Sequence, residues 1–308
     1  MTGRDGGQDA AAFQEHRGLL FGIAYRMLGT ATDAEDAVQE TWLRWSGRTQ
    51  RAVETPRAYL TTVITRLCID ELRSARVRRE SYYGPWLPEP LVVEDARFVQ
   101  DDRASAHVDL SDTLSQAFLV VLEELSPAER AAFLLHDVFG YEYPEIAGML
   151  TRGEAACRQL VSRARSHLGA RRHRFDADRA VSQELTERFL IACTTGDVQG
   201  LMGMLAEDVI VWTDGGGIAK AAANRVVGAS KSARFLAGIA RKLPEGAYLR
   251  LARVNGAPGA VVLVGDDVVA TIAVEVADGK AVGIYIVSNP QKLAAVQPGA
   301  GAPSPFLA

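Results

Sequence analysis

The stretch Tyr82-Tyr83-Gly84-Pro85-Trp86-Leu87-Pro88-Glu89-Pro90 places three prolines within six positions. Each proline lacks an amide donor, fixes its own φ and disfavours helix in the residue before it, so no regular helix crosses this segment. The chain is thereby divided by an extended linker. The linker is also aromatic. A purely solvated connector has no need of Tyr82, Tyr83, Trp86 and Leu87, and their presence points to a segment that docks on another part of the protein.

Upstream of the linker, apolar residues recur at helical spacing. One helix covers 13–28 and stops at Gly29. Thr32-Asp33-Ala34-Glu35 reads as a capping box that opens a second helix, running to Trp45. Thr55-Pro56, a cap followed by proline at the first helical position, opens a third with the stripe Leu60, Val63, Ile64, Leu67. Downstream, 110–125 is helical, and Ser126-Pro127-Ala128-Glu129 caps a helix that ends at Gly140. Tyr143–Leu150 is then a short helix, Thr151-Arg152-Gly153 a tight turn, and Glu154–Leu168 a further helix with the inward stripe Cys157, Leu160, Val161, Ala164, Leu168. This succession is a helix-turn-helix.

After about Phe175 the period shifts from 3.6 towards 2. A helix at 180–193 and a short one ending at Leu205 precede strand-like runs at 209–213, 248–254, 261–264, 268–276 and 281–287, with turns at Asn255-Gly256, Gly265-Asp266 and Asp278-Gly279. Helices followed by an antiparallel sheet give an α+β domain. The expected organisation is a helical domain at 10–80, a linker at 81–109, a helix-turn-helix domain at 110–173, an α+β domain at 178–293 and a disordered, Pro/Gly/Ala-rich tail at 294–308.

The 308 residues are 48% hydrophobic and 23% charged, enough for more than one core. The most apolar region, 261–276, is interrupted by Asp266, Asp267 and Glu275, and no apolar stretch follows the first charges, so neither a membrane span nor a signal peptide is expected and the location reads as cytoplasmic. Cys68, Cys157 and Cys193 are odd in number and lie in helical patterns, as core residues of a reducing compartment do. His16, His107, His136, His167 and His173 lack metal-ligand spacing, and no metal or cofactor is expected. A net charge of −4 alone argues against a nucleic-acid partner. The charge is segregated, however: residues 57–79 carry +4, residues 152–174 carry +6, and the intervening 81–125 carry −7.

In the second helix of the helix-turn-helix, Arg158, Ser162 and Arg165 share one face with Gln159 and Arg163 alongside and Arg152 and Glu154 at its start. Such a helix meets base edges in the major groove, where Arg158 can pair with guanine and Gln159 with adenine, while Arg163 and Arg165 suit phosphates. The competing reading is a solvated arginine-rich face. On the helix from Pro56, Arg57, Arg66, Arg73 and Arg76 supply charge, and Tyr59, Thr61, Thr62 and Thr65 supply stacking and hydroxyl surface, which suits a melted single strand; taken alone, a solvated basic face accounts for the pattern at least as well. Asp33, Asp36 and Glu40 form an acidic stripe with Glu35 and Gln39 nearby and Trp42 following, a surface for a basic protein partner; complementation of the helix dipole is the competing reading and accounts for Asp33 to Asp36 but less readily for Glu40. No catalytic set emerges. Asp214-Gly215-Gly216-Gly217 lacks the spacing of a phosphate-binding loop and reads as a flexible loop over a pocket. A general base would have to come from Asp208, Asp214, Asp266 or Asp267, all at strand ends or turns, so an enzyme is not expected; a small-molecule ligand in the C-terminal domain stays open.

Together these segments resemble the sigma-70 family, extracytoplasmic-function type. The segment from Asp33-Ala34-Glu35-Asp36-Ala37-Val38-Gln39-Glu40-Thr41-Trp42-Leu43 is similar to region 2.2, Pro56-Arg57-Ala58-Tyr59-Leu60 through Asp70-Glu71-Leu72-Arg73 to regions 2.3 and 2.4, and Leu125-Ser126-Pro127 through Leu168 to region 4. The resemblance implies that core RNA polymerase is bound through its β′ clamp helices and β flap, that promoter DNA is melted and read at the −10 element and read at the −35 element, and that no membrane is involved. Trp86-Leu87-Pro88-Glu89-Pro90, Asp214-Gly215-Gly216-Gly217 and Asn289-Pro290-Gln291-Lys292-Leu293 resemble the motifs of a subgroup that carries a cone-shaped, SnoaL/NTF-like C-terminal domain, with Gln291 in place of an acid. In that subgroup the extra domain regulates the sigma domains in cis, which implies such a role for Trp86, Leu87, Pro88, Glu89, Pro90, Asp214, Gly215, Gly216, Gly217, Asn289, Pro290, Lys292 and Leu293. Two departures stand out: Arg66 where many relatives carry asparagine, and Gly153 where a serine often caps the recognition helix. The rival to this reading is a one-component helix-turn-helix regulator with a small-molecule-sensing domain, which has no need of the acidic stripe and basic helix upstream.

Overall fold

The structure, a computed structural model, describes residues 5–48, 53–79, 82–94, 115–168 and 179–298. It divides into two compact units: Met1–Glu80 with Val121–Ala170, and Ser81–Val120 with Arg171–Ala308.

The first unit opens with α1 (Asp5–Leu28), α2 (Ala31–Ser46) and α3 (Pro56–Arg79). Gly29 ends α1 at φ +78°, a conformation that costs glycine little. The second helix begins earlier than the Thr32 pattern suggests. Thr30 is its N-cap, accepting from the Asp33 N–H, because the hydroxyl two residues before Thr32 reaches the orphan amide first. Leu20, Ile23, Met27, Trp45, Leu60 and Ile64 are fully buried in the shared core. Val63 and Leu67 of the expected α3 stripe are only half-buried, and Cys68 and Leu72 complete the inward face instead. Burial pushes the Cys68 thiol well above its ordinary pKa and keeps it protonated.

Helix α4 (Gln116–Leu122) precedes α5 (Pro127–Phe133), whose capping box is complete: Ser126 and Glu129 each bond the other's backbone N–H, with Pro127 at the first position. A wide π-type turn, Leu134–Val138, carries the chain on to Gly140 at φ +70°. Helices α6 (Tyr143–Leu150) and α7 (Glu154–Leu168) follow, joined through Thr151 at φ +53°. Ala132, Leu135, Tyr141, Ile146, Met149, Cys157 and Val161 form the core of this helix-turn-helix. The buried Arg130 guanidinium donates to Met27 O (2.6 Å) and to Glu123 (2.7 Å), tying α5 to α1.

In the second unit, α8 (Arg179–Thr195) and α9 (Val198–Met204) precede β2 (Leu205–Asp214), β3 (Val226–Val227), α10 (Ala229–Ala240), β4 (Ala247–Val254), β5 (Ala257–Val264), β6 (Asp267–Ala277) and β7 (Lys280–Val287). The α+β expectation holds, but the sheet is not purely antiparallel. β2 runs parallel to β7, pairing Ile210 with Gly283 through Asp214 with Val287. Periodicity identifies a strand without identifying its neighbour, and this pair is brought together across all the intervening chain. Helix α10 was not identified from the sequence, although Ala233, Leu236 and Ala237 bury one face at helical spacing. A further strand comes from the linker: β1 (Val92–Glu94) pairs antiparallel with β4, Val92 opposite Val254. Among the described residues the sheet order is β1-β4-β5-β6-β7-β2-β3.

One face of this sheet packs on α8, α9 and α10 through Phe189, Leu201, Leu236, Val262 and Ile284. The other face, built on Val254, Val261, Leu263, Ala273 and Val287, is covered by Leu87, Ala117, Val120, Leu293 and Val296. Two-sided burial explains why β5 reads as a continuous apolar run rather than an alternation. The tail expected from 294 is ordered at its start: Val296 is buried, and Gln297 O accepts from Arg250. Residues 299–308 lie outside the described residues.

Candidate nucleic-acid interface and linker clamp

Helix α7 buries Cys157, Val161, Ala164 and Leu168 and leaves Glu154, Arg158, Gln159, Ser162, Arg163 and Arg165 on the opposite, exposed face, with Arg152 exposed in the turn before it. The 3.6-residue period alone produces this separation. Arg158 is steadied by Glu154 (3.0 Å) and by the Tyr143 ring 5.1 Å away. Arg165 forms a two-pronged pair with Asp137, at 2.6 and 2.9 Å, and the Asp137 hydrogen bond raises its pKa further. Asp137 was not singled out in the sequence. It lies 28 residues away, and nothing local marks it.

On α3 the expected single-strand surface is partly internal. Thr61 and Thr65 are buried, and Tyr59 is half-buried with its ring 5.7 Å from that of Trp45. These three do not supply an open stacking surface. The reason is that α3 is contacted on two sides, by α1 and α2 and by α6. Thr62 is half-buried and donates to Ala58 O. Arg57, Arg66 and Arg73 are exposed; Arg73 reaches Asp70 at 3.3 Å. The side chain of Arg76 lies outside the described residues.

The α2 residues separate into roles. Asp33 accepts from Thr30 Oγ1 and belongs to the helix cap. Glu35, Asp36 and Gln39 are exposed, Glu35 pairing with Arg17 (2.6 Å), and Glu40 pairs with Arg44 (2.9 Å). Trp42 is half-buried against Phe13, ring centres 5.0 Å apart, and Leu43 is the exposed apolar residue of this face, at 55%.

The linker is docked within the second unit. Asp214, at the end of β2 and 1% exposed, accepts from Tyr82 OH (2.5 Å), Leu87 N–H (2.8 Å), the Lys292 ammonium (2.7 Å) and Gly216 N–H (3.0 Å). Lys292 also donates to Leu87 O (2.5 Å) and lies 4.2 Å from the Trp86 ring centre and 5.0 Å from that of Tyr82. Asn289 caps α11 (Pro290–Leu293) by accepting from the Gln291 N–H, and donates to Tyr82 OH (2.9 Å). Burial, reinforced by the bond to Asp214, pushes the Tyr82 phenol well above its ordinary pKa. Leu87, Pro88, Glu89 and Pro90 are all buried, and Leu293 is in the core beneath Leu87.

The glycine run is a tight turn, not a flexible loop over a pocket. Ile218 and Ala219 N–H groups donate to Gly215 O, at 3.0 and 2.9 Å. A Cβ on Gly215 would overlap Ala219 O, and Gly216, at φ +62°, abuts the Asn289 amide. Beyond the prolines, Leu91 exchanges hydrogen bonds with Asn255, and Gln116 donates to Asn255 (2.9 Å) and to Pro88 O (3.3 Å). Asn255 and Gln116 were missed by the sequence reading. Asn255 was legible only as a turn residue, which it also is, at φ +52°. Among the described residues no group of three or more His, Cys, Asp or Glu could hold a metal ion, and no helix is long and apolar enough to cross a membrane.

These features define a promoter-recognition module joined to an extra α+β domain. Residues 12–78 match the family described as sigma-70 region 2, and residues 115–168 match sigma-70, region 4. The chain is 39% identical to the ECF RNA polymerase sigma factor SigJ of Mycobacterium tuberculosis, over 92% of this chain and 93% of that one, and 32% identical to the probable ECF RNA polymerase sigma factor SigI of the same organism, over 92% and 94%. The crystal structure of Mycobacterium tuberculosis SigJ superimposes with a TM-score of 0.74 at 36% identity, covering 92% of this chain and 98% of that one. The chain belongs to the extracytoplasmic-function RNA polymerase sigma factors of the sigma-70 family. It is a sigma factor that works with core RNA polymerase on promoter DNA, and the one-component regulator is not favoured, since the match to sigma factors runs through both helical regions.

Proposed function

We infer that transcription initiation by this sigma factor is controlled in cis through its linker. In this reading 10–80 is region 2, 110–173 is region 4 and 178–293 is a SnoaL-like regulatory domain. Helix α3 reads the −10 element through Arg57, Thr62, Arg66, Arg73 and Arg76, and α7 the −35 element through Arg152, Glu154, Arg158, Gln159, Ser162, Arg163 and Arg165. The exposed side of α2, with Glu35, Asp36, Gln39, Glu40 and Leu43, meets the β′ clamp helices, and region 4 meets the β flap.

The observation that carries the regulatory part is the clamp on Asp214, which receives the linker's Tyr82 hydroxyl and Leu87 amide together with Lys292. The linker follows α3 directly in the chain, so fixing it restricts where region 2 can go. The same saturation with donors favours a structural over a catalytic Asp214, and hence a non-enzymatic domain. A small molecule taken up by the C-terminal domain acts, in this reading, by biasing the clamp.

The test is transcription by core polymerase reconstituted with the purified chain, comparing the parent with Trp86→Ala. Removing the ring over Lys292 loosens the clamp and changes promoter output, with faster proteolysis of the linker. If output and linker protection both stay at the parental level, control does not run through the clamp.

A further inference from the structure

Two arginines on the exposed face of α7, Arg158 and Arg165, are braced from the same short segment, the π-type turn Leu134–Val138. Turns of this kind recur at functional sites. Here the chain leaves α5 off the α-helical path: Phe139 N–H reaches back five residues to Leu134 O, and Tyr141 N–H six residues to Leu135 O. The adjacent residues His136 and Asp137 then serve different elements. Asp137 accepts from Arg165 Nε (2.9 Å) and from Arg165 Nη2 (2.6 Å) on α7. His136 lies with its ring 4.3 Å from that of Tyr143, at the start of α6, and its Nδ1 is 3.0 Å from Tyr141 O. The Tyr143 ring in turn lies 5.1 Å from the Arg158 guanidinium, whose Nη2 donates to Glu154 (3.0 Å).

The form of the Arg165 pair decides what it can do. A guanidinium carries its N–H groups in a fixed fork. Asp137 takes the side edge, Nε–H and one Nη2–H, and leaves the end edge for a second acceptor. The Asp137 side chain is 5% exposed and that of Arg165 49%, so the carboxylate is covered while the guanidinium is open. A carboxylate beside a DNA-reading helix repels phosphates, and a partly exposed ion pair adds little to stability. Neither charge balance nor the fold therefore accounts well for this carboxylate. Arginine loses rotamer freedom when it binds, and bracing it beforehand removes that cost from association.

We propose that the π-type turn is the positioning platform of the reading helix: Asp137 presets Arg165 for a phosphate, and His136, through Tyr143, presets Arg158 for a base. This rests on the assignment of α7 to the −35 element. Asp137, His136 and Tyr143 are positioning residues that act through the two arginines rather than on DNA.

The test uses holoenzyme reconstituted from the full chain and core polymerase, with a fluorescein-labelled promoter duplex selected by the parent holoenzyme from a randomised library. Asp137→Asn is isosteric and removes a negative charge next to the reading helix. Coulomb's law alone then gives tighter binding. Positioning gives the opposite sign: affinity falls about threefold to tenfold, the cost of ordering one arginine on binding. With Arg165→Ala already in place there is no arginine left to position, and Asp137→Asn lowers affinity no further. Tyr143→Leu relaxes base preference at the position that Arg158→Ala relaxes and at no other, measured by competition among single-base variants of the duplex. Unchanged or tighter binding by Asp137→Asn overturns the role of Asp137, and so does an equal loss with and without Arg165, which marks a carboxylate that only supports the fold. Preference lost evenly over the duplex in Tyr143→Leu overturns the role of Tyr143. If Arg158→Ala and Arg165→Ala themselves leave duplex binding unchanged, the assignment of α7 to the −35 element is what fails.

Discussion

Replacing Asp214 by asparagine isolates the clamp. The side chain keeps its size and one acceptor oxygen, but it loses its charge and turns an amide towards donors. In the native chain the carboxylate faces the Lys292 ammonium at 2.7 Å, with the two side chains 0% and 9% exposed. Breaking a buried pair from one side leaves the other charge desolvated and costs about 3–5 kcal/mol. Tyr82 OH, Leu87 N–H and Gly216 N–H must then share the single remaining oxygen. Lys292 keeps Leu87 O and the two aromatic faces, so the lower end of that range applies, about 3 kcal/mol. That is a large share of the roughly 5–15 kcal/mol by which a domain is stable. For a body of 150–250 residues it corresponds to a fall of about 6–12 °C in the melting temperature. The assay is thermal unfolding followed by calorimetry, with limited proteolysis at the 82–94 segment. A second variant, Lys292→Met, leaves Asp214 with its three N–H and O–H donors and a shape-matched apolar neighbour, and loses less. The reasoning is refuted if Asp214→Asn shifts the melting temperature by no more than 2 °C, or if Lys292→Met is the more damaging change.

Two further outcomes follow from the first unit. Arg158→Ala on the exposed face of α7 lowers specific duplex affinity by about 1–3 kcal/mol and relaxes base preference at one position, measured by competition among promoter variants; equal loss on every sequence would mark Arg158 as a phosphate contact instead. Glu129 is held below its ordinary pKa of 4.5 first by the Ser126 hydroxyl of the capping box. A carboxylate whose folded pKa is depressed adds stability above its unfolded pKa and loses it as pH falls through the folded value, so the contribution is full at neutral pH and fades below about pH 4.5. Glu129→Gln flattens that acid limb in pH-dependent unfolding, and an unchanged limb would show that the box adds nothing.

Much of the first unit was legible because its signals are local. Ser126 with Glu129, Pro56 at a helix start and Gly29 and Gly140 at helix ends act within one turn of backbone, and the structure places α5, α3 and α1 accordingly. The α7 faces followed from period alone. Thr61, Thr65 and Tyr59 were misjudged for the opposite reason. A helical wheel gives the angle of a residue but not how many neighbours surround the helix, and α3 has them on two sides. In the second unit the motif residues Asp214, Gly216, Asn289 and Lys292 were all marked in advance, together with the linker, as one cis-regulatory set; what the sequence did not give is which atoms meet, with Asp214 accepting from Tyr82, Leu87 and Lys292.

By itself, the sequence determined which segments are helical, where most of them start and stop, that no helix crosses the prolines, and that the linker is too apolar to be left in water. These are properties of neighbouring residues, set by backbone sterics, capping and side-chain period. Only the tertiary structure decided that Asp214 meets Tyr82 across 132 residues and Lys292 across 78, that β2 lies parallel to β7, and that Arg66 closes on the end of α6. Such contacts depend on where whole elements come to rest, because burial rewards any arrangement that removes apolar surface from water and only shape and the pairing of buried charges choose among them.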